Sequence, residues 1–217
     1  MQRLKILHDK LRFVSWFFGL TTAPFVGIKR KIEAGDHPYK SSAMPSDSSD
    51  PPFAAEWLDA DQAIRVQGQL CLSLLQRSLL EYLDETVKLS SSQAPNKKNN
   101  WFENYKKWFL DVGVDWTASG TDLVLIEEMT VARNRIQHGS RGDSHGLIKT
   151  QDEDYRSRFP KALFQSDLEA RMFRNFGPKL RSIELTKERL NRAIEEIMLF
   201  ANFIEEHLPV EMKYWRG

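Results

Sequence analysis

The stretch "LNRAIEEIMLFANFIEEHLP", residues 190 to 209, decides the fold class. Leu190, Ile194, Ile197, Ala201, Ile204 and Leu208 recur at steps of three and four, which places them on one face of an α-helix and leaves Pro209 to end it. The pattern predicts a helix over roughly 181 to 208. Upstream, Leu72, Leu75, Leu79 and Tyr82 repeat the same steps inside a long helical pattern from Phe53 to about Leu89, broken by "SSSQAPNKKNN". Residues 101 to 112, "WFENYKKWFLDV", set Trp101, Tyr105, Trp108 and Phe109 at helical spacing. Such a stripe forms either a core face or a base-stacking platform, and the core is its commoner use.

A third helix is predicted to run to His138, capped by Ser119 or Thr121. A loop rich in charge and glycine follows, from Gly139 to about Phe159. Ser166 and Glu169 fit a capping box for a short helix over 167 to 176, stopped by Gly177 and Pro178. No segment alternates in the manner of a sheet strand, and no repeat of roughly 20 to 50 residues is visible. The expected fold is all-α, a bundle of about four to five principal helices.

The chain has 217 residues, enough for one sizeable domain with an appended segment. Hydrophobic residues make up 41% and charged residues 28%, the balance of a globular chain. Lys plus Arg number 31 against 30 for Asp plus Glu, so a general electrostatic pull toward nucleic acid is excluded and any such binding must be local. Cys71 is the only cysteine; it excludes an intramolecular disulfide and a Cys-rich zinc site, and fits a reducing, cytoplasmic setting. Its surroundings, "QLCLSLLQ", read as core. Walker-type and dinucleotide glycine loops, a His-x-x-x-His pair and a Gly-x-Ser-x-Gly elbow are all missing from the sequence, so no cofactor or metal is expected.

Residues 1 to 32 read as an apolar helical segment, 33 to 52 as a solvated linker rich in Ser, Pro and Asp, and 53 to 217 as the main helical domain. The interval from Phe13 to Ile28 is free of charge and is bracketed by Arg12 and by Lys29, Arg30 and Lys31. It is shorter than the roughly 20 apolar residues a spanning helix needs and contains Pro24. A packed or partner-facing amphipathic segment is the preferred reading, with membrane contact through 13 to 28 the lesser one.

The third helix ends in "VARNRIQHGSRG", residues 131 to 142. At about 100° per residue, Leu125, Met129, Ala132 and Ile136 share a narrow arc that must pack on the bundle. Asn134, His138 and Glu127 fall opposite that arc and Arg133 flanks it, so these polar groups are expected to point away from the core. Asn134 and His138 are i, i+4 neighbours. An Arg gives a bidentate fork to phosphate oxygens, an Asn orients a neighbour, and a His moves a proton near neutral pH, a set suited to a phosphodiester. The same residues also serve an ordinary helix end, where His meets the negative dipole and Gly takes the left-handed cap.

"RNRIQHG" on the exposed side of a helix in an all-α bundle resembles the signature of the HEPN superfamily, in which an Arg, usually followed by a polar residue, precedes a His by a few positions. Arg133, Asn134, His138 and the following Gly139 match that signature, and the resemblance covers about Phe53 to Leu208, with no counterpart for residues 1 to 52. It implies a HEPN-like homodimer in which two motif helices line one cleft, and a metal-independent endoribonuclease acting on RNA in toxin, antiphage or RNA-processing settings. Arg133 would then hold the scissile phosphate, His138 would act as general acid or base, and Asn134 would orient one of them. Members that have lost activity serve as dimerisation or partner-binding modules. Where a toxin subset carries a modifiable Tyr two residues after the His, this chain has Ser140.

Supporting candidates are Glu127, as a partner for Arg133 or His138, and His145 in the following loop. Arg135, Arg141, Lys97 and Lys98, with Lys106, Lys107, Arg171 and Arg174, make a candidate RNA track, although scattered basic residues more often form solvated faces. The expected partners are RNA, a second copy of the chain, and a protein partner or antitoxin.

Overall fold

The computed structural model describes residues 2–40, 52–90, 93–96, 101–138, 157–159, 163–164, 185–209 and 212, and for 135–138 the backbone alone. Among the described residues five helices make up an all-α bundle and no strand occurs. They are α1 (Gln2–Ala34), α2 (Ala54–Val87), α3 (Trp101–Asp111), α4 (Leu123–His138) and α5 (Lys187–His207), with a short 3-10 turn at Trp116–Ser119. Residues 41–51 of the expected linker and the whole of the expected 167–176 helix lie outside the described residues.

The α1 and α2 helices form an antiparallel pair of nearly equal length, 33 and 34 residues. Two ion pairs set their direction: Lys10 meets Glu81 near one end, and Lys29 meets Asp61 near the other. The end where α1 gives way to α2 is clasped further by Lys29 over the Trp57 ring, 3.9 Å from its centroid, and by Trp57 Nε1 donating to Glu33 at 2.9 Å. Tyr39 and Phe53 meet edge to face, so the two ends of the connecting segment converge. Leu7, Leu11, Val14 and Phe18 point inward at steps of three and four and are buried. Pro24 lies within α1 without ending it.

The α5 helix runs antiparallel to α1 and parallel to α2. Arg3 pairs with Glu205 at 2.7 Å, and Ser15 Oγ donates to Asn191 at 3.1 Å. Tyr82 Oη donates to the Ala201 carbonyl at 3.0 Å. At the other end α2 comes close enough to Leu185 that a Cβ on Gly68 would sit 3.0 Å from the Leu185 Cβ, which is the reason for glycine there. The seam read from the sequence is the one buried: Leu190, Ile197, Ala201 and Ile204 have no exposed surface. Thr186 caps α5, its side chain accepting the Arg189 N–H.

The aromatic stripe of α3 is core. Trp101, Tyr105, Trp108 and Phe109 are all buried, Phe102 and Phe109 stand edge-on to Phe200 of α5, and Tyr105 Oη donates to Asp84 of α2. Cys71 is fully buried, and burial pushes its thiol up to about 11. All of these residues, with those of α1, belong to one continuous apolar core.

Candidate functional site

The α4 helix carries the candidate motif. It begins at Leu123 because Asp122 Oδ1 accepts the Leu125 N–H at 3.0 Å, the contact of an N-cap. This corrects the expected cap at Ser119 or Thr121: Ser119 Oγ accepts the Thr121 N–H at 3.3 Å within the preceding turn and does not reach α4. The Asp122 N–H in turn donates to Glu196 of α5 at 2.8 Å, and Arg192 pairs with the same Glu196 at 2.9 Å. These contacts anchor the start of α4 to α5.

Leu125, Met129 and Ala132 are buried, as their arc requires. The buried surface is wider than that arc, however, because α4 packs on both α2 and α5. It takes in Ile126 and Thr130 on one side and Glu128 on the other. Arg133 is drawn into it: the side chain is half-buried, and its Nε is closed to solvent with no partner among the described residues. Burial lowers the Arg133 pKa from its ordinary value, which leaves a guanidinium charged at any physiological pH. The expectation that Arg133 points away from the core is therefore corrected, since two neighbouring helices leave α4 only a narrow solvent face.

Arg133 Nη1 donates to Asn134 Oδ1 at 3.1 Å, and Asn134 is exposed. This contact brings two of the three motif residues together. His138 ends α4, and its side chain, like that of Arg135, is outside the described residues. Glu127 pairs with Arg158 among the described residues, rather than with Arg133. His145, Arg141, Lys97, Lys98, Arg171 and Arg174 lie outside the described residues. Lys106 is buried: it pairs with Glu103, sits 4.9 Å from the centroid of the Trp116 ring, and is unavailable to a phosphate track. Lys107 is exposed.

Compared with protein-family models, curated proteins and solved structures, the chain matches none.

Glu128 is the residue that sequence reasoning missed. It is 3% exposed, and its two carboxylate oxygens accept the backbone N–H groups of Leu163 and Phe164, each at 2.9 Å. One buried carboxylate thus fixes the segment at 163–164 against α4, with charge-assisted hydrogen bonds on both oxygens. Beside it lies a cavity of 540 Å³, lined by Asp122, Leu125, Glu128, Phe159 and Arg192 among others. The wheel held a signal: Glu128 flanks the apolar arc on one side as Arg133 does on the other. Two buried-flank charges on one short helix mark a helix packed on more than one neighbour.

Proposed function

We propose that the chain is a metal-independent, HEPN-like endoribonuclease acting as a homodimer, in a toxin or antiphage defence role. The observation that carries this reading is the Arg133–Asn134 contact on α4, one turn before His138. Asn134 holds one end of a guanidinium whose stem is gripped by the bundle, which supports a fixed rather than a swinging cation at the scissile phosphate. In the reaction the RNA 2′-hydroxyl attacks its own phosphorus, its proton passing to a base, while the bond to the 5′-oxygen breaks and that oxygen takes a proton. The products are a 2′,3′-cyclic phosphate and a free 5′-hydroxyl. His138 of one or both subunits moves these protons, and two Arg133 side chains offset the negative charge on the non-bridging phosphate oxygens.

A second reading is a non-catalytic HEPN-like module for dimerisation or partner binding. It is favoured by the closed Nε of Arg133, which withholds one donor from any ligand. One experiment separates the two. Purified protein is incubated with mixed RNA in EDTA, beside folded Arg133→Ala and His138→Ala variants, and its mass is measured at micromolar concentration. The catalytic reading expects cleavage by wild type with cyclic-phosphate ends, a drop of about 10²- to 10³-fold in each variant, and a dimer. Intact RNA, variants as active as wild type, or a strictly monomeric mass would sink it.

A further inference from the structure

The α1 helix has two apolar faces, and only one is used. Leu7, Leu11, Val14 and Phe18 pack inward, whereas Ile6, Phe13, Trp16 and Leu20 stand on the opposite side, 47% to 59% exposed. Their spacing of three, four and seven makes a continuous outward stripe. It is preorganised: the Phe13 ring lies against both Trp16 and Phe17, with centroids 5.8 Å apart in each pair. An exposed row of large apolar residues on one helix is a surface built to be covered.

The charges around the stripe choose its occupant. Lys5, Arg12, Arg30 and Lys31 are exposed on that side of the helix, against the single carboxylate Asp9. The other cations of α1 are engaged with the bundle: Arg3 with Glu205, Lys10 with Glu81, and Lys29 with Asp61. A second copy placed stripe to stripe in parallel would set Lys5, Arg12, Arg30 and Lys31 against the same four cations of its partner. Like charges across a contact oppose that pairing. An anionic lipid surface, by contrast, takes the apolar stripe into its acyl boundary, the indole at its interface, and the cations at its headgroups.

By length and composition α1 is also the one helix among the described residues able to cross a membrane. Spanning would strip Leu7, Leu11, Val14 and Phe18 from the shared core and break three ion pairs, so the packed inner face holds the helix parallel to a surface instead.

We infer that the outward face of α1 is a peripheral docking surface for anionic membranes, with the helix lying in the interface plane. The inference does not depend on ribonuclease activity. It is tested by co-sedimentation of the full chain with phosphatidylcholine vesicles and with phosphatidylcholine–phosphatidylserine vesicles, at low and at raised salt. Expected is pelleting with the anionic vesicles only, weakened by salt and by about fivefold for each charge removed in Arg12→Gln and Lys31→Gln. The Phe13→Ser/Trp16→Ser double variant, folded by circular dichroism, should lose binding to those vesicles. Failure of wild type to pellet, equal binding to neutral vesicles, or undiminished binding by the double variant overturns the inference. So does a wild-type dimer that the double variant dissociates, since a second copy would then own the stripe.

Discussion

At the residue scale, two charged side chains on α4 show how much a neighbour decides. Arg133 and Glu128 look alike on a helical wheel, each beside the apolar arc, yet they have different settings. Glu128 receives two backbone N–H groups, while Arg133 keeps a closed Nε and lends Nη1 to Asn134. Replacing Glu128 by Ala leaves one buried and one part-buried donor without a carboxylate, and should cost about 2 kcal/mol of stability in urea unfolding. Glu128→Gln should cost less, because the amide oxygen still accepts one of the two. A Glu128→Ala protein as stable as wild type would mean that the 163–164 segment is not fixed by this residue. The chemical identities of the motif were legible in the sequence; how far each was buried was not, because burial depends on which helices flank α4.

At the element scale, the ends of α1 and α2 are held by a polar clasp around Asp61. Burial raises the Asp61 carboxyl pKa, but the Lys29 hydrogen bond, the nearby charges of Arg65 and Lys29, and the Arg65 hydrogen bond outweigh it, and the net shift is downward. A carboxylate with a depressed folded-state pKa contributes stability that is present above its unfolded value. That contribution is lost as pH falls through the folded value. Wild type should therefore exceed Asp61→Asn by about 1 kcal/mol near neutral pH, with the gap closing in acid below the ordinary carboxylate range. Denaturation at a series of pH values reads this directly, and a gap that does not depend on pH would rule out the carboxylate as its source. The apolar periodicity of α2 was plain in the sequence, while α1 read only as an apolar, helical segment. The pairing of Lys29 with Asp61 was not legible there, since the two lie on separate helices joined through a segment that carries no register of its own.

At the scale of the whole molecule, the main question is whether α1 is an appendage or a wall of the core. Leu7, Leu11, Val14 and Phe18 share one apolar core with α2, α3 and α5, and Arg3 reaches the far end of α5. Removing residues 1 to 52, and with them the whole of α1, should strip one long side from that core. The fragment 53–217 is expected to bind a hydrophobic dye and to lose its cooperative thermal transition. Should the fragment instead melt as sharply as the full chain, α1 would be an accessory element. A milder version is Leu11→Ala, which should cost about 2 to 5 kcal/mol at a side chain that is 1% exposed.

The sequence by itself determined the all-helical architecture and the extent of α2, whereas α5 begins at Lys187, behind its Thr186 cap, and not near the expected 181. The sequence carries the architecture because a buried helical face must repeat at the helix's own period, as Leu190 to Leu208 and Leu72 to Tyr82 do. It also set out the chemistry of Arg133, Asn134 and His138, because functional groups are read one residue at a time. Only the tertiary structure decided that Asp122 caps α4, that Lys106 is buried beside Phe102 and Trp116, and that α1 turns one apolar face inward and leaves the other bare. Those outcomes depend on which helices meet. Helix contact is set by the sum of many weak interactions between distant segments, which no local pattern records.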